Sequence, residues 1–432
     1  MLSGLMMEKN LAKTMTFFTR LIRILKSMLH SYDVYDTVLM AMFFILGYFL
    51  YSFMGNSFLT NADGIVSGVV YKFNSEGIEL GRLGITLVDK ACGMIVSPML
   101  SIIISLIFSG LAVLMIIDIL GIKGLCGKIV TYAVLLLSPT FANTMTYFYC
   151  AVSYNLAFFL SVFSVFLYKE GLSEYGDNKE FKNIKLKYVI ICLICGLLIC
   201  GSLSLYQAYL AVTAALFVLI DIKVLLERGD KIVAKHCIIQ LLICALGVGL
   251  YLAVTKLMPF KLASNRGFDK MGSINPVKLP NLVEDTYVNF YNYFFTDSLI
   301  NNSWMCRKEL NAVILFSIIV LLLYILVKLK TARRYLSIFL LIFLTAIYPV
   351  ACEIITIMAP GVDNYGSTGI IIVPAMSFIY ILPYYFQELI RIGVKQAIRR
   401  RACTQIIFSI PIALVFLDTF ASCVCYGKHI VA

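Results

Sequence analysis

Residues 97–119 read SPMLSIIISLIFSGLAVLMIIDI and carry a single charge, Asp118. About 20 residues of this kind cross ~30 Å of hydrocarbon as a helix rising ~1.5 Å per residue. The stretch is therefore long and apolar enough to span a bilayer. Similar runs recur from Asp36 to Tyr426, separated by short polar stretches. Composition agrees: 61% of the 432 residues are apolar and 14% are charged, against about 25% charged in soluble domains. Too little polar surface remains to cover a water-soluble particle. The expected fold class is all-α, a polytopic transmembrane helical bundle.

Eleven spans are expected, over 36–57, 97–119, 129–143, 148–168, 187–203, 205–222, 237–258, 311–327, 335–352, 368–387 and 404–425. Lys and Arg lie in the gaps, and 25 of the 36 fall on one side of the alternation. The positive-inside rule makes that side cytoplasmic. This predicts a multi-pass cell-membrane protein with its N-terminus inside and its C-terminus outside. The net charge of +12 is then a topology signal, and no nucleic-acid partner is expected.

The chain divides into four parts. Residues 1–35 form a cytoplasmic segment in which Leu11, Met15, Phe18, Ile22, Leu25 and Leu29 recur at helical spacing. Such a pattern suits an amphipathic anchor. Its basic residues precede the first apolar run, unlike a cleavable signal. Residues 36–258 form the transmembrane core, including an outer loop, 58–96, in which 63–74 and 82–95 are expected as interfacial helices. Residues 259–310 form a large outer loop with clustered aromatics and the lone Trp304. Residues 311–432 hold the C-terminal helices.

Thirteen Cys, most inside apolar runs, form no disulfide framework or zinc pattern; Cys192 and Cys195 read as buried small residues. Three dispersed His argue against a His-based site. No cofactor is implied, and nothing favours a divalent metal.

The chemistry is sought on the outer side. Asp63, in Thr60-Asn61-Ala62-Asp63-Gly64, lies just beyond the first span. Glu76-Gly77-Ile78-Glu79-Leu80-Gly81-Arg82 follows in the same loop. An ordinary solvated loop is the plain reading of these charges. A carboxylate at a membrane exit can instead accept a hydroxyl proton, and an arginine fork suits phosphate. Together they suit group transfer from a lipid phosphate.

Three segments carry a resemblance: Asn61-Ala62-Asp63-Gly64 with Gly81-Arg82; Pro139-Thr140-Phe141-Ala142-Asn143 with Tyr147 to Asn155; and Ser202-Leu203-Ser204-Leu205-Tyr206-Gln207-Ala208-Tyr209. In order and spacing these resemble the Gtr type II glucosyltransferases, a branch of the membrane-embedded GT-C superfamily. The resemblance covers 36–225. It implies an inverting glycosyltransferase that moves a glucosyl (hexosyl) group from a polyprenyl-phosphate donor to a cell-surface glycan on the outer face. It places the catalytic base at Asp63 and a donor-phosphate contact at Arg82. The family commonly shows two adjacent acids in the first loop. Here Ala62 precedes Asp63, so a second carboxylate would come from Glu76 or Glu79. Tyr206 and Gln207 become candidates for sugar or donor binding.

Glu353 and Asp363 flank the outer loop after the ninth span. They are expected in a wet loop, with sugar binding as the alternative. Asp418 lies within the last span and is expected to pack structurally. Asp118 and Asp221, at cytoplasmic helix ends, are expected to have no catalytic part. A transporter or flippase of a lipid-linked sugar is the competing class. It would place polar residues deep in several spans and show an internal repeat. A polymerase or ligase would need Arg and His clustered in the large outer loop.

Overall fold

The computed structural model describes residues 34–57, 78–177, 181–257, 276–295, 308–359 and 373–393. Every regular element among them is helical, as expected for the fold class. In chain order they are α1 (Val34–Asn56), α2 (Leu83–Ala91), α3 (Pro98–Leu120), α4 (Leu125–Leu136), α5 (Pro139–Met145), α6 (Ala151–Asp177) and α7 (Phe181–Leu205). A 3₁₀ turn, Gln207–Tyr209, leads into α8 (Leu210–Arg228). Then come α9 (Asp230–Leu257), α10 (Leu279–Phe295), α11 (Lys308–Thr331), α12 (Tyr335–Cys352), α13 (Ile354–Met358) and α14 (Leu382–Gly393).

Among the described residues, nine segments are long and apolar enough to cross a membrane. They coincide with the first nine expected spans. The third is interrupted: Ser138 accepts a 3.2 Å hydrogen bond from the Phe141 amide and Pro139 occupies the first turn of α5. A capped start with proline at the first position restarts a helix. The short interfacial helix expected over 82–95 is present as α2. Its partner over 63–74, the amphipathic segment 1–33, Asp418 and the eleventh span lie outside the described residues.

The tenth span differs from expectation. From Val373 it runs through a 3₁₀ segment, Met376–Tyr380, into α14. Tyr380 donates to Asn311 near one end of α11, and Tyr385 donates to the Leu219 carbonyl midway along α8. Glu388 accepts from the amides of Lys123 and Gly124 at the far end. The segment thus crosses the bundle, but its half nearer Asn311 is not α-helical.

Inner and outer helices are distinguished by their faces. On α1, Val38, Met42, Ile45, Phe49 and Phe53 are exposed at steps of three or four residues. This is one helix face, and its apolar character suits lipid. Similar faces occur on α9 (Ile238, Leu241, Leu242), α11 (Phe316, Ile319, Leu323) and α12 (Phe339, Ile342, Phe343). Interior helices carry small polar residues that let backbones approach. Ser109 of α3 donates 2.6 Å to Asn155 of α6, and Ser161 of α6 meets Ser202 of α7 at 2.8 Å.

The two ends of the bundle are chemically unlike. At one, Lys128 pairs with Asp36, Lys169 with Asp118 at 2.5 Å, and Arg334 donates 2.8 Å to the Leu225 carbonyl at the end of α8. Asp221, expected at a helix end, is in fact 3% exposed. It accepts from Gln240 at 2.9 Å and from the Cys237 thiol at 3.1 Å, tying α8 to α9. The opposite end carries α2, the 3₁₀ turn, α10 and α13.

Candidate active site

At that opposite end the chain leaves α7 at Tyr206. Its backbone is extended (φ −158°, ψ 118°), although its amide still donates 2.9 Å to the Ser202 carbonyl. This break turns Tyr206, Gln207 and Tyr209 inward, where each is no more than 1% exposed. The tyrosines meet Tyr154 of α6 and Tyr147 of the turn before it: Tyr154 lies 4.7 Å from Tyr206 between centroids, Tyr147 lies 6.0 Å from Tyr154, and Tyr209 lies 5.9 Å from Tyr206.

Arg82, at the start of α2, lies on this cluster. Its guanidinium carbon is 4.6 Å from the Tyr206 ring centroid, and Nη1 donates 3.4 Å to the Tyr154 hydroxyl. A guanidinium over an aromatic face is held by the ring quadrupole. A guanidinium's planar fork is also the geometry that suits a phosphate.

Gln207 latches the loop that carries Arg82. Its Nε2 donates 2.7 Å to the Leu80 carbonyl and 2.8 Å to the Tyr251 hydroxyl of α9. Gly81, between Leu80 and Arg82, has φ +73°. A Cβ there would stand 2.5 Å from the Tyr251 hydroxyl and 3.2 Å from Gln207 Nε2. Gly81→Ala should therefore combine left-handed strain, about 1 kcal/mol, with displacement of the latch. Gly93 has φ +70° but open space around its would-be Cβ, so Gly93→Ala incurs strain alone. Both variants should melt lower in detergent, Gly81→Ala by more, and the loss of activity should be confined to the Gly81 variant.

The Gly81-Arg82, Tyr147 to Asn155 and Ser202 to Tyr209 segments, far apart in sequence, thus converge on one cluster. Glu79 is half-buried on the turn before Arg82. Asp63, Glu76 and Asp363 lie outside the described residues. Sequence reasoning passed over Asp89, which lies on α2 seven residues after its N-cap, Arg82. Burial pushes its carboxyl up to about 7.

Glu353 was expected in a wet loop; it is 1% exposed. Thr356 donates 3.1 Å to its Oε2, and Asn289 of α10 donates 3.4 Å to Thr356. Packing of α10 over the end of α12 excludes the water that the sequence position suggested. Burial pushes the Glu353 carboxyl up to about 8, against the opposing pull of its hydrogen bonds. Glu353 also lines a small cavity with Ala208, next to Gln207. The observed groups of the site therefore extend from Arg82 through the 3₁₀ turn to Glu353.

Many membrane-length helices around a polar, tyrosine-rich site at one end define a multi-pass integral membrane protein of the helical-bundle class. The family model described as glucosyl transferase GtrII matches residues 52–384, and the chain belongs to that family. It is accordingly a glucosyltransferase by family, with a sugar donor and a glycan acceptor in general terms. No curated protein and no solved structure matches the chain.

Proposed function

We propose that the protein transfers a glucosyl group from a polyprenyl-phosphate donor to a hydroxyl of a cell-surface glycan, with inversion, on the face of the cell membrane away from the cytoplasm. The observation that carries this reading is the Arg82 guanidinium laid against Tyr206 at the bundle end away from the Lys128, Lys169 and Arg334 contacts. The positive-inside rule favours the lysine-rich end as cytoplasmic, which would put Arg82 outside.

In the proposed reaction the acceptor oxygen attacks the anomeric carbon as the bond from that carbon to the phosphate oxygen breaks. The acceptor's proton passes to the Asp63 carboxylate, and polyprenyl phosphate departs with the bond's electron pair. Arg82 lowers the barrier by neutralising charge that grows on the leaving phosphate. Tyr206 holds the guanidinium plane, and Gln207 holds the backbone turn that aims it. Asp89 and Glu79 are the nearby carboxyls available to orient an acceptor hydroxyl or Arg82 itself. A lipid donor would enter from the leaflet between helices and an acceptor from the water.

The test is transfer of label from radiolabelled polyprenyl-phosphate-glucose to surface polymer in membranes with and without the protein. Label incorporation that depends on the protein supports the reading. Movement of the labelled lipid between leaflets without incorporation would replace it with the flippase reading.

A further inference from the structure

The Arg82 cluster does not account for Glu353. Four acids among the described residues are buried: Asp36, Asp221, Glu353 and Glu388. Asp36 has Lys128, Glu388 has Arg391, and Asp221 has Gln240 and Cys237, all toward the lysine-rich end. Glu353 is the most buried of the four and stands at the other end. No ion pair reaches it among the described residues. Burying a carboxyl without a cation is costly, and the group relieves that cost by staying protonated. The upward push on its titration fits this state. As a neutral acid it offers one O–H donor together with acceptor oxygens.

The space beside it is of matching size. Ala208, Ala211 and Ala375 wall the cavity with methyl groups, and Ile355, Val373, Met376 and the Cys352 thiol line the rest around this one carboxyl. The cavity has room for about one water molecule, which is also the space that one sugar hydroxyl needs. Ala208 follows Gln207 directly, so the cavity adjoins the turn that carries Tyr206 against Arg82.

We infer that Glu353 is a specificity-determining residue that reads one hydroxyl of the hexosyl group being transferred, through hydrogen bonds made inside this cavity. The inference rests on the transfer reading above. Thr356 and Asn289 position the carboxyl by holding Oε2. The apolar walls make its selectivity strong, because a donor lacking the matched hydroxyl leaves a buried polar group without its partner.

The test compares polyprenyl-phosphate-glucose with each of its singly deoxygenated forms, using the full chain in membranes. Wild type should use one deoxy donor about ten- to a hundredfold less well than the parent, and the others far less selectively. Glu353→Met keeps the bulk and removes the polar atoms. It should bring that one donor level with the parent while raising KM for the parent by a similar factor. A purely structural acid would instead lower all donors together, and that uniform result overturns the inference. So does a wild type that ranks every deoxy donor alike. Should the Met variant be absent from membranes, Glu353→Gln decides: its ranking must change at the same hydroxyl only, and an unchanged ranking overturns the assignment. A wild type that transfers nothing from the parent donor refutes the transfer reading and the inference with it. Transfer without discrimination refutes the role of Glu353 alone.

Discussion

Asp63→Asn should abolish most glucosyl transfer while leaving the protein at wild-type levels in the membrane. The substitution keeps the side chain's shape and removes its ability to take a proton, and a positioned general base contributes about 10²- to 10⁴-fold. Transfer per unit of protein, measured at saturating donor, should fall by that order. The control is Asp89→Asn on α2. Asp89 is a described first-loop carboxyl on the helix that Arg82 begins, with burial holding its titration up to about 7. Full activity in the Asp63 variant with a loss in the Asp89 variant would move the base two turns along α2 from Arg82. Full activity in both would leave the proton to another group and sink the proposed base.

Arg82 gives the second large effect. Arg82→Ala should raise the donor KM by on the order of ten- to a hundredfold, the worth of about 1.5–3 kcal/mol for hydrogen bonds to a charged group. Arg82→Lys should recover only part, since a point charge replaces a planar fork and stacks less well on Tyr206. The family of variants can be read against Tyr206→Leu, which leaves the charge but removes the ring 4.6 Å from it. If Lys restores full donor affinity, the phosphate needs only a positive charge. If Ala changes neither KM nor turnover, Arg82 has no part in donor binding.

The spans were legible because apolar runs of membrane length leave few alternative readings. The tenth was legible as a crossing but not as a broken one. Pro374 and Pro383 were visible in it. Hydropathy cannot tell, however, that residues from Val373 to Phe386 are buried. A span enclosed by protein can depart from α-helix because neighbours satisfy its backbone, and Tyr385 bonding to Leu219 illustrates such enclosure.

The site was legible in pieces. Gly81-Arg82 and Tyr206-Gln207 each stood out, yet their meeting depends on a fold that closes a separation of more than a hundred residues. No local rule predicts the Gln207 bond to Leu80. Glu353 was misplaced for a related reason. A residue just past the end of an apolar run reads as solvated until Asn289, on a distant helix, comes down beside Thr356. Asp89 reads as an ordinary solvated acid of a short amphipathic helix until the fold buries it two turns after Arg82.

The latch at Gln207 has a mechanical meaning. Its acceptor Tyr251 belongs to α9, whose Ile238, Leu241 and Leu242 face outward. Helices with a lipid face tilt to match the thickness of the bilayer around them. Tilt of α9 would pull on Tyr251, and through Gln207 on the turn before Arg82, which would make the lipid composition of the host membrane an input to the enzyme. In vesicles of graded acyl length, transfer should peak at one thickness. Tyr251→Phe, which cuts the tie and keeps the ring, should flatten that dependence; a dependence that stays as steep would show that the membrane's strain reaches the site by another route.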